Sequence, residues 1–297
     1  MVTSVGEASS RRVAVSFTFD FDAESAWLGS FKLDTPSALS RGAYGATEGV
    51  PRILRLLDRY NLPATFFIPG DTADRHPDEV RAIVDAGHEV GHHGYLHEPP
   101  HLLNEAEERT MIERGLEALQ RATGRHPRGY RSPAWELSKS TFRLLEEYGF
   151  DYDASQLGAD RPYWVRDAGR PTPLVEIPSA WELTDSGHFM MVPGFGLPGG
   201  KAPSHVEEVW REDFNGMYEE GGDVCFVLTM HPQIIGRHHR MRMLERIIQH
   251  ITSHEGVWIA QMGEIASEFR RRQEAASRGA LPAGSGVDPR PPFQPAG

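Results

Sequence analysis

Cysteine is almost missing from this chain. Cys225 is the only one in 297 residues, so no disulfide can form within the chain. Its apolar neighbours in VCFVL mark it as a small buried hydrophobe rather than a reactive thiolate. Long apolar runs are also lacking. No stretch approaches the ~20 residues needed to span a bilayer, and the opening MVTSVGEASSRR is polar. Neither a transmembrane helix nor a signal peptide is expected, and the protein reads as cytoplasmic. Positive charge is short as well: 31 Lys and Arg against 42 Asp and Glu leave a net charge of -11. Nucleic acid and anionic membrane are therefore poor partners, because both require clustered cations; a small molecule fits better. No G-x-G-x-x-G or G-x-x-x-x-G-K motif and no internal repeat is found, so a nucleotide is not indicated.

What the chain does have is alternation. Short runs rich in β-branched and aromatic residues (VAVSFTF, ATFFIPG, HEVG, GYR, FDYDAS, LVEIP, VCFVLTM and VWIA) are separated by segments of helical period. Thr47 is expected to cap a helix through Val50, Ile53, Leu54 and Leu57, after a glycine-bearing loop. Asn104 and Glu107 have capping-box spacing before a helix that runs out at Gly124. Roughly seven strands favour an α/β fold of the (β/α) barrel type, a distorted or incomplete seven-stranded TIM-like barrel, over an open doubly wound sheet. The expected organisation is a polar arm over residues 1–12, one catalytic barrel over 13–272, and a Pro/Gly/Ala-rich tail over 273–297. Composition alone predicts a flexible tail; if ordered, it would pack on its own barrel or on a neighbouring subunit, so a homo-oligomer is compatible with the sequence.

In such barrels chemistry sits at the C-terminal ends of the strands. Strand one ends in Asp20-Phe21-Asp22, strand three in His92-His93, strand four in Arg131, strand five near Asp153, and VCFVLTM in His231. Unrelated segments thus deliver carboxylates, histidines and an arginine to one rim.

The stretch GHEVGHHGYLHEPPH holds five histidines, and strand register separates them. His88 begins the third strand, on the order of 13 Å from the rim at ~3.3 Å per residue. His92 points away from His93, and His101 follows the break at Pro99-Pro100. His93 and His97 remain as a ligand pair. With a carboxylate they form a facial set that leaves positions open for water and substrate; zinc is the default ion, with cobalt, nickel or iron as alternatives. Asp20 and Asp22 share a strand face, so one can bind the ion while the other stays free. His238-His239-Arg240 reads as a structural loop.

These residues resemble the motifs of the polysaccharide deacetylase family, also called NodB-homology or carbohydrate esterase family 4, over most of residues 13 to 270. The T-F-D-D motif is matched by Thr18-Phe19-Asp20-Phe21-Asp22 with one residue inserted, H-x-x-x-H by His93 to His97, and R-x-P by Arg131-Ser132-Pro133. The late L-x-H motif is matched by Leu228 to His231 with one residue more. The inserted D-F-D, RSPAW and LTMHPQ look most like the branch holding allantoinase-like enzymes, cyclic imide hydrolases and a peptidoglycan deacetylase. The resemblance implies that Asp22, His93 and His97 bind metal, Asp20 is the general base, Arg131 orients it, and His231 is the general acid. A backbone N–H near Ala134 would face the oxyanion. Ala134 stands where many relatives carry an aromatic residue, with Trp135 next to it. Trp135 and Tyr163 are candidate substrate contacts, as are Trp164 and Trp181, and Asp153 and Asp185 are both candidate partners for His231.

The expected activity is hydrolysis of a non-peptide amide or imide C–N bond, on a small cytosolic amide or cyclic imide, with N-deacetylation of peptidoglycan or another acetylated amino sugar as the alternative. Two other classes compete. Iron oxygenases also use two histidines and a carboxylate, but usually on a jelly roll. A non-catalytic metal- or sugar-binding module could dispense with Asp20 or His231, and this chain keeps both.

Overall fold

The computed structural model describes residues 13–277. The expected 1–12 arm, and the expected tail from residue 278 on, lie outside the described residues. The last helix, Met262–Ser277, runs five residues past the expected boundary at 272.

A nine-stranded sheet organises the chain. Its strands are β1 (Val13–Asp20), β2 (Thr65–Ile68), β3 (Glu89–His92), β4 (Gly129–Tyr130), β5 (Tyr152–Asp153), β6 (Tyr163–Asp167) and β7 (Arg170–Glu176), followed after a small hairpin of β8 (Met191–Val192) and β9 (Leu197–Pro198) by β10 (Cys225–Met230) and β11 (Val257–Ile259). The order is β10-β1-β2-β3-β4-β5-β7-β6, with β11 also on β1. All pairs in this sheet are parallel except β6 with β7. The sheet curls into a distorted (β/α) barrel, as expected. Across the seam no full strand pair forms among the described residues: Thr184 bridges to Thr229 in parallel, and the Cys225 N–H donates to the Asp160 carbonyl at 2.8 Å.

β1 is buried along its whole length, and its period of two sorts the core. Val13, Val15, Phe17 and Phe19 pack outward under the helices, among residues such as Ile53, Leu57, Phe66 and Ile247. Ala14, Ser16, Thr18 and Asp20 alternate with them and face the barrel interior. There Ala14 meets Phe67, Tyr152, Val175 and Val227, and Ser16 and Thr18 hydroxyls donate to the carbonyls of Ala260 and Leu228. This inner row of small polar side chains leads up to Asp20 and leaves width for an arginine.

Two local expectations fail for identifiable reasons. The glycine-bearing segment before Thr47 is helical: Thr35 caps helix Pro36–Tyr44, whose chain continues through a π-helical turn, Gly45–Gly49, into Val50–Tyr60. Its glycines serve close approach instead of a turn, since a Cβ on Gly49 would lie 2.4 Å from the Pro232 carbonyl oxygen. His238-His239-Arg240 opens helix His238–Thr252 rather than forming a loop. Arg237 occupies its N-cap without a side-chain cap, so no capping residue announced the start. The Asn104/Glu107 capping box and the stop at Gly124 are present.

Candidate functional site

Asp20 ends β1 facing inward, and the Phe21 N–H still donates to the Phe67 carbonyl, which keeps the backbone extended long enough to bring Asp22 to the same face. Arg131 reaches Asp20 from below. Its N–H donates to the His92 carbonyl at 3.0 Å, tying the end of β4 to β3. Its fully buried guanidinium lies 4.2 Å from the Phe67 ring and donates from one nitrogen to Asp20 Oδ1 at 2.7 Å and Thr18 Oγ1 at 2.9 Å. Burial alone would raise the Asp20 pKa. The Arg131 charge and hydrogen bond, helped by His93 and His231, overcome this and hold the carboxyl below its ordinary value.

Asp22 is placed differently. Its Oδ1 lies 3.5 Å from His93 Nε2 and 3.7 Å from His97 Nε2, and one ligand atom from each residue falls within 4.8 Å of the others. The hydrogen bonds fix which nitrogens are bare. His93 Nδ1 meets the Arg131 carbonyl at 2.7 Å, so it must be the protonated nitrogen. Ser30 Oγ donates to the His97 carbonyl at 2.8 Å, so His97 Nδ1, 2.6 Å from that hydroxyl, donates to it. Both Nε2 lone pairs therefore face the Asp22 carboxylate. Burial lowers the His93 pKa to about 4 and that of His97 well below its usual value, which keeps both rings neutral. Burial also pushes Asp22 up to about 7, opposed by His231 and reinforced by the Asp20 charge. His93 Nε2 and Asp22 Oδ1 are buried without any hydrogen-bond partner. Acceptors converging on acceptors, with donors turned outward, fit a cation and fit little else.

The second histidine center is His231, at the exit of β10. Its Nδ1 lies 2.7 Å from Asp185 Oδ1, and its backbone N–H donates to Asp185 Oδ2 at 3.0 Å. Its Nε2 faces Asp20 Oδ2 and Asp22 Oδ2, each at 3.9 Å. Burial would lower this imidazole, but Asp185, by charge and hydrogen bond, with Asp22 and Asp20, pushes it up to about 9. Of the two carboxylates expected near His231, Asp185 is the partner. Asp153 sits opposite Glu176 on β7 and accepts from the Ser155 hydroxyl. Sequence reasoning missed two further contacts: Ser30 behind His97, and Gln233, whose Nε2 donates to Asp22 Oδ2 at 3.1 Å. The H-P-Q run held the only sequence signal for Gln233.

These groups line a cavity of about 250 Å³ walled by Phe31, Pro99, Trp135, Trp181, Met190 and Leu197, with Ala134 also in its lining. Trp135 and Trp181 meet with ring centroids 4.7 Å apart. Four non-glycine residues around it, Ala23, His97, Ala134 and Trp135, adopt positive φ of 47°, 59°, 57° and 58°. Left-handed backbone at such residues costs of order 1–3 kcal/mol each and gathers where geometry is functionally constrained. Tyr163 does not join the cavity: it belongs to the antiparallel edge strand β6, opposite Glu176. Trp164 is also elsewhere, against Phe269. His92 turns under helix Glu105–Thr123, its Nε2 3.1 Å from the Ile112 carbonyl, and His101 is exposed. His88 lines a larger cavity, about 620 Å³, at the N-terminal end of β3, where among the described residues no comparable set of acceptors converges.

Fold and site together define a barrel hydrolase built around a carboxylate pair and a histidine pair. The polysaccharide deacetylase family model matches residues 34–152. The chain is 36% identical to the peptidoglycan deacetylase of Helicobacter pylori over 88% of this chain and 98% of that protein. A crystal structure assigned to the polysaccharide deacetylases, from Mycobacterium smegmatis, superposes with a TM-score of 0.84 at 40% identity, over 97% of this chain and 98% of that one. The PuuE allantoinase structure superposes with a TM-score of 0.76 at 29% identity, over 89% and 92%. The chain belongs to the polysaccharide deacetylase family, hydrolases of amide C–N bonds.

Proposed function

We propose that this protein is a metal-dependent hydrolase of a small non-peptide amide or cyclic imide, with Asp22, His93 and His97 holding one divalent ion, zinc by default. The observation that carries the reading is the pair of buried, partnerless acceptors, Asp22 Oδ1 and His93 Nε2, facing each other at 3.5 Å. A divalent ion in such a site polarises a carbonyl oxygen and lowers the pKa of water from ~15.7 to about 7.

The two carboxylates then divide the work. Asp20 gives Oδ1 to Arg131 and keeps Oδ2 free toward the cavity, so it is the ionised base that takes the proton of the attacking water. Asp22 gives Oδ2 to Gln233 and Oδ1 to the histidines. His231, held protonated by Asp185, donates from Nε2 to the departing nitrogen, which would otherwise leave as a poor anion. A backbone N–H near Ala134, which lines the cavity, would meet the developing oxyanion.

Cavity size supports a small substrate, because about 250 Å³ lies below the ~300–1,000 Å³ usual for ligand pockets. A second reading, N-deacetylation of an acetylated amino sugar, is favoured by Trp181, whose half-exposed ring at the cavity suits a sugar face, and by the name of the Helicobacter relative. Turnover of a panel of cyclic imides and ureides against acetylated chito-oligosaccharides separates the two. Release of acetate from the sugars alone would sink the small-substrate reading; hydrolysis of neither class by zinc-loaded protein would sink both.

A further inference from the structure

Beside the site, on the other side of Gln233, lies a cavity of about 370 Å³ whose lining contains Arg41, Arg237, His239 and Arg240 and no carboxylate. In a chain of net charge -11, three half-buried arginines sharing one cavity call for an explanation. Their contacts are to rings and carbonyls instead of acids. Arg41 lies 4.4 Å from the Trp27 ring and donates to the Met191 carbonyl. Arg237 lies 3.5 Å from the Tyr44 ring. Arg240 lies 4.4 Å from the Phe189 ring and donates from one nitrogen to the Ile234 carbonyl, while its Nε is buried with no acceptor. Among the described residues no carboxylate forms an ion pair with any of the three. The one that Arg240 senses, Asp185, is committed to His231. By contrast the neighbouring Arg52, also beside Tyr44, is paired with Glu48.

Three like charges drawn partly out of water repel one another unless an anion lies between them. Burial lowers Arg41 and Arg240 from their usual values and the Arg237 charge adds to this in both, opposed at Arg240 by Asp185. The fifteen-residue helix His238–Thr252 begins at the same cavity with no side-chain cap, which adds its positive end. Guanidinium groups over aromatic rings keep N–H groups available for carboxylate or phosphate oxygens.

We propose that this cavity is a second ligand site, distinct from the Asp22–His93–His97 cluster, that binds a small oxyanion, either a carboxylate or a phosphate. It stands independently of the function proposed above. The site shares a wall with the catalytic cavity, since Met190 lines both and Gln233 lines this one while holding Asp22.

The test is thermal-shift titration and calorimetry of the full-length, zinc-loaded protein with sulfate, phosphate and succinate, chloride keeping ionic strength constant. The wild type should show saturable stabilisation by at least one of them, and the choice between succinate and the inorganic anions identifies the source. Arg41→Gln and Arg237→Gln, made separately so that one misfolded variant leaves the other, should each weaken that binding tenfold or more with zinc content unchanged. Absence of a saturable response to all three anions in the wild type overturns the proposal. So does a response that a folded variant retains in full, because the anion would then sit elsewhere, including on the metal.

Discussion

Asp185→Asn probes the proton donor with the least change of shape. Both Asp185 oxygens accept from the same residue, one from the His231 backbone N–H at 3.0 Å and the other from Nδ1 at 2.7 Å. An amide has only one acceptor. If its oxygen keeps the backbone N–H, its NH₂ faces Nδ1, which must then be unprotonated, and the imidazolium cannot form. If the amide is turned round, the backbone N–H meets a donor. Either way the imidazolium no longer has a charged acceptor: the first arrangement removes a hydrogen bond worth ~1.5–3 kcal/mol from the protonated ring, and the second leaves it only a neutral amide oxygen and strands the backbone N–H. At 1.4 kcal/mol per decade this is roughly 10- to 150-fold in kcat, and the burial that opposes protonation of His231 is left unopposed by its main partner. The assay is kcat against pH on whichever panel substrate is turned over, with zinc content measured in parallel and the His231 imidazole followed by NMR. Zinc should stay bound, kcat should fall by that factor, and the imidazole should titrate at lower pH. A kcat within threefold of wild type with an unmoved His231 titration would refute the donor assignment.

Three further perturbations follow from individual contacts. Ser30→Ala removes the acceptor that fixes the His97 tautomer; zinc affinity measured by competition with a chelator should weaken ~10- to 100-fold, as for other partners of ligating histidines. Arg131→Met leaves Asp20 buried without its partner, at a cost of about 3–5 kcal/mol, so calorimetry should show Tm falling by on the order of 10 °C; an unchanged Tm would contradict the pairing. Glu176 is raised well above its ordinary value by burial, with the charge and hydrogen bond of Asp153 adding to it. Its favourable contribution is therefore complete below the unfolded value of ~4.3 and is lost as pH rises toward the folded one, at up to about 1.4 kcal/mol per pH unit. Glu176→Gln should thus gain on wild type in paired melts as pH rises above ~4.3.

How far the site could be read ahead of the structure depended on how local each residue's job is. Asp20 and Asp22 are set by one strand, and His93 and His97 by one strand end and its turn, so period and spacing suffice. Arg131 and His231 each terminate a strand whose apolar pattern is visible. Asp185 is different: it reaches His231 only because Thr184 bridges to Thr229 across the seam, a pairing with no trace in local sequence, and the Thr184 cap over Ser186 announces merely a short helix. Ser30 is placed by the docking of Gly29 on the Leu96 carbonyl, so close that a Cβ would stand 1.6 Å from that oxygen. Tyr163 stands outside the cavity because β6 is the edge strand beyond β7, a position in the sheet order that local sequence does not reveal.

The central claim concerns one ion and three side chains. Diffraction data from zinc-loaded crystals on both sides of the zinc absorption edge should give a single strong anomalous peak within bonding distance of Asp22 Oδ1, His93 Nε2 and His97 Nε2, absent from Asp22→Ala crystals. A peak at His88 and His92 instead, or no peak from protein that still turns over substrate after exhaustive chelation, would contradict the account.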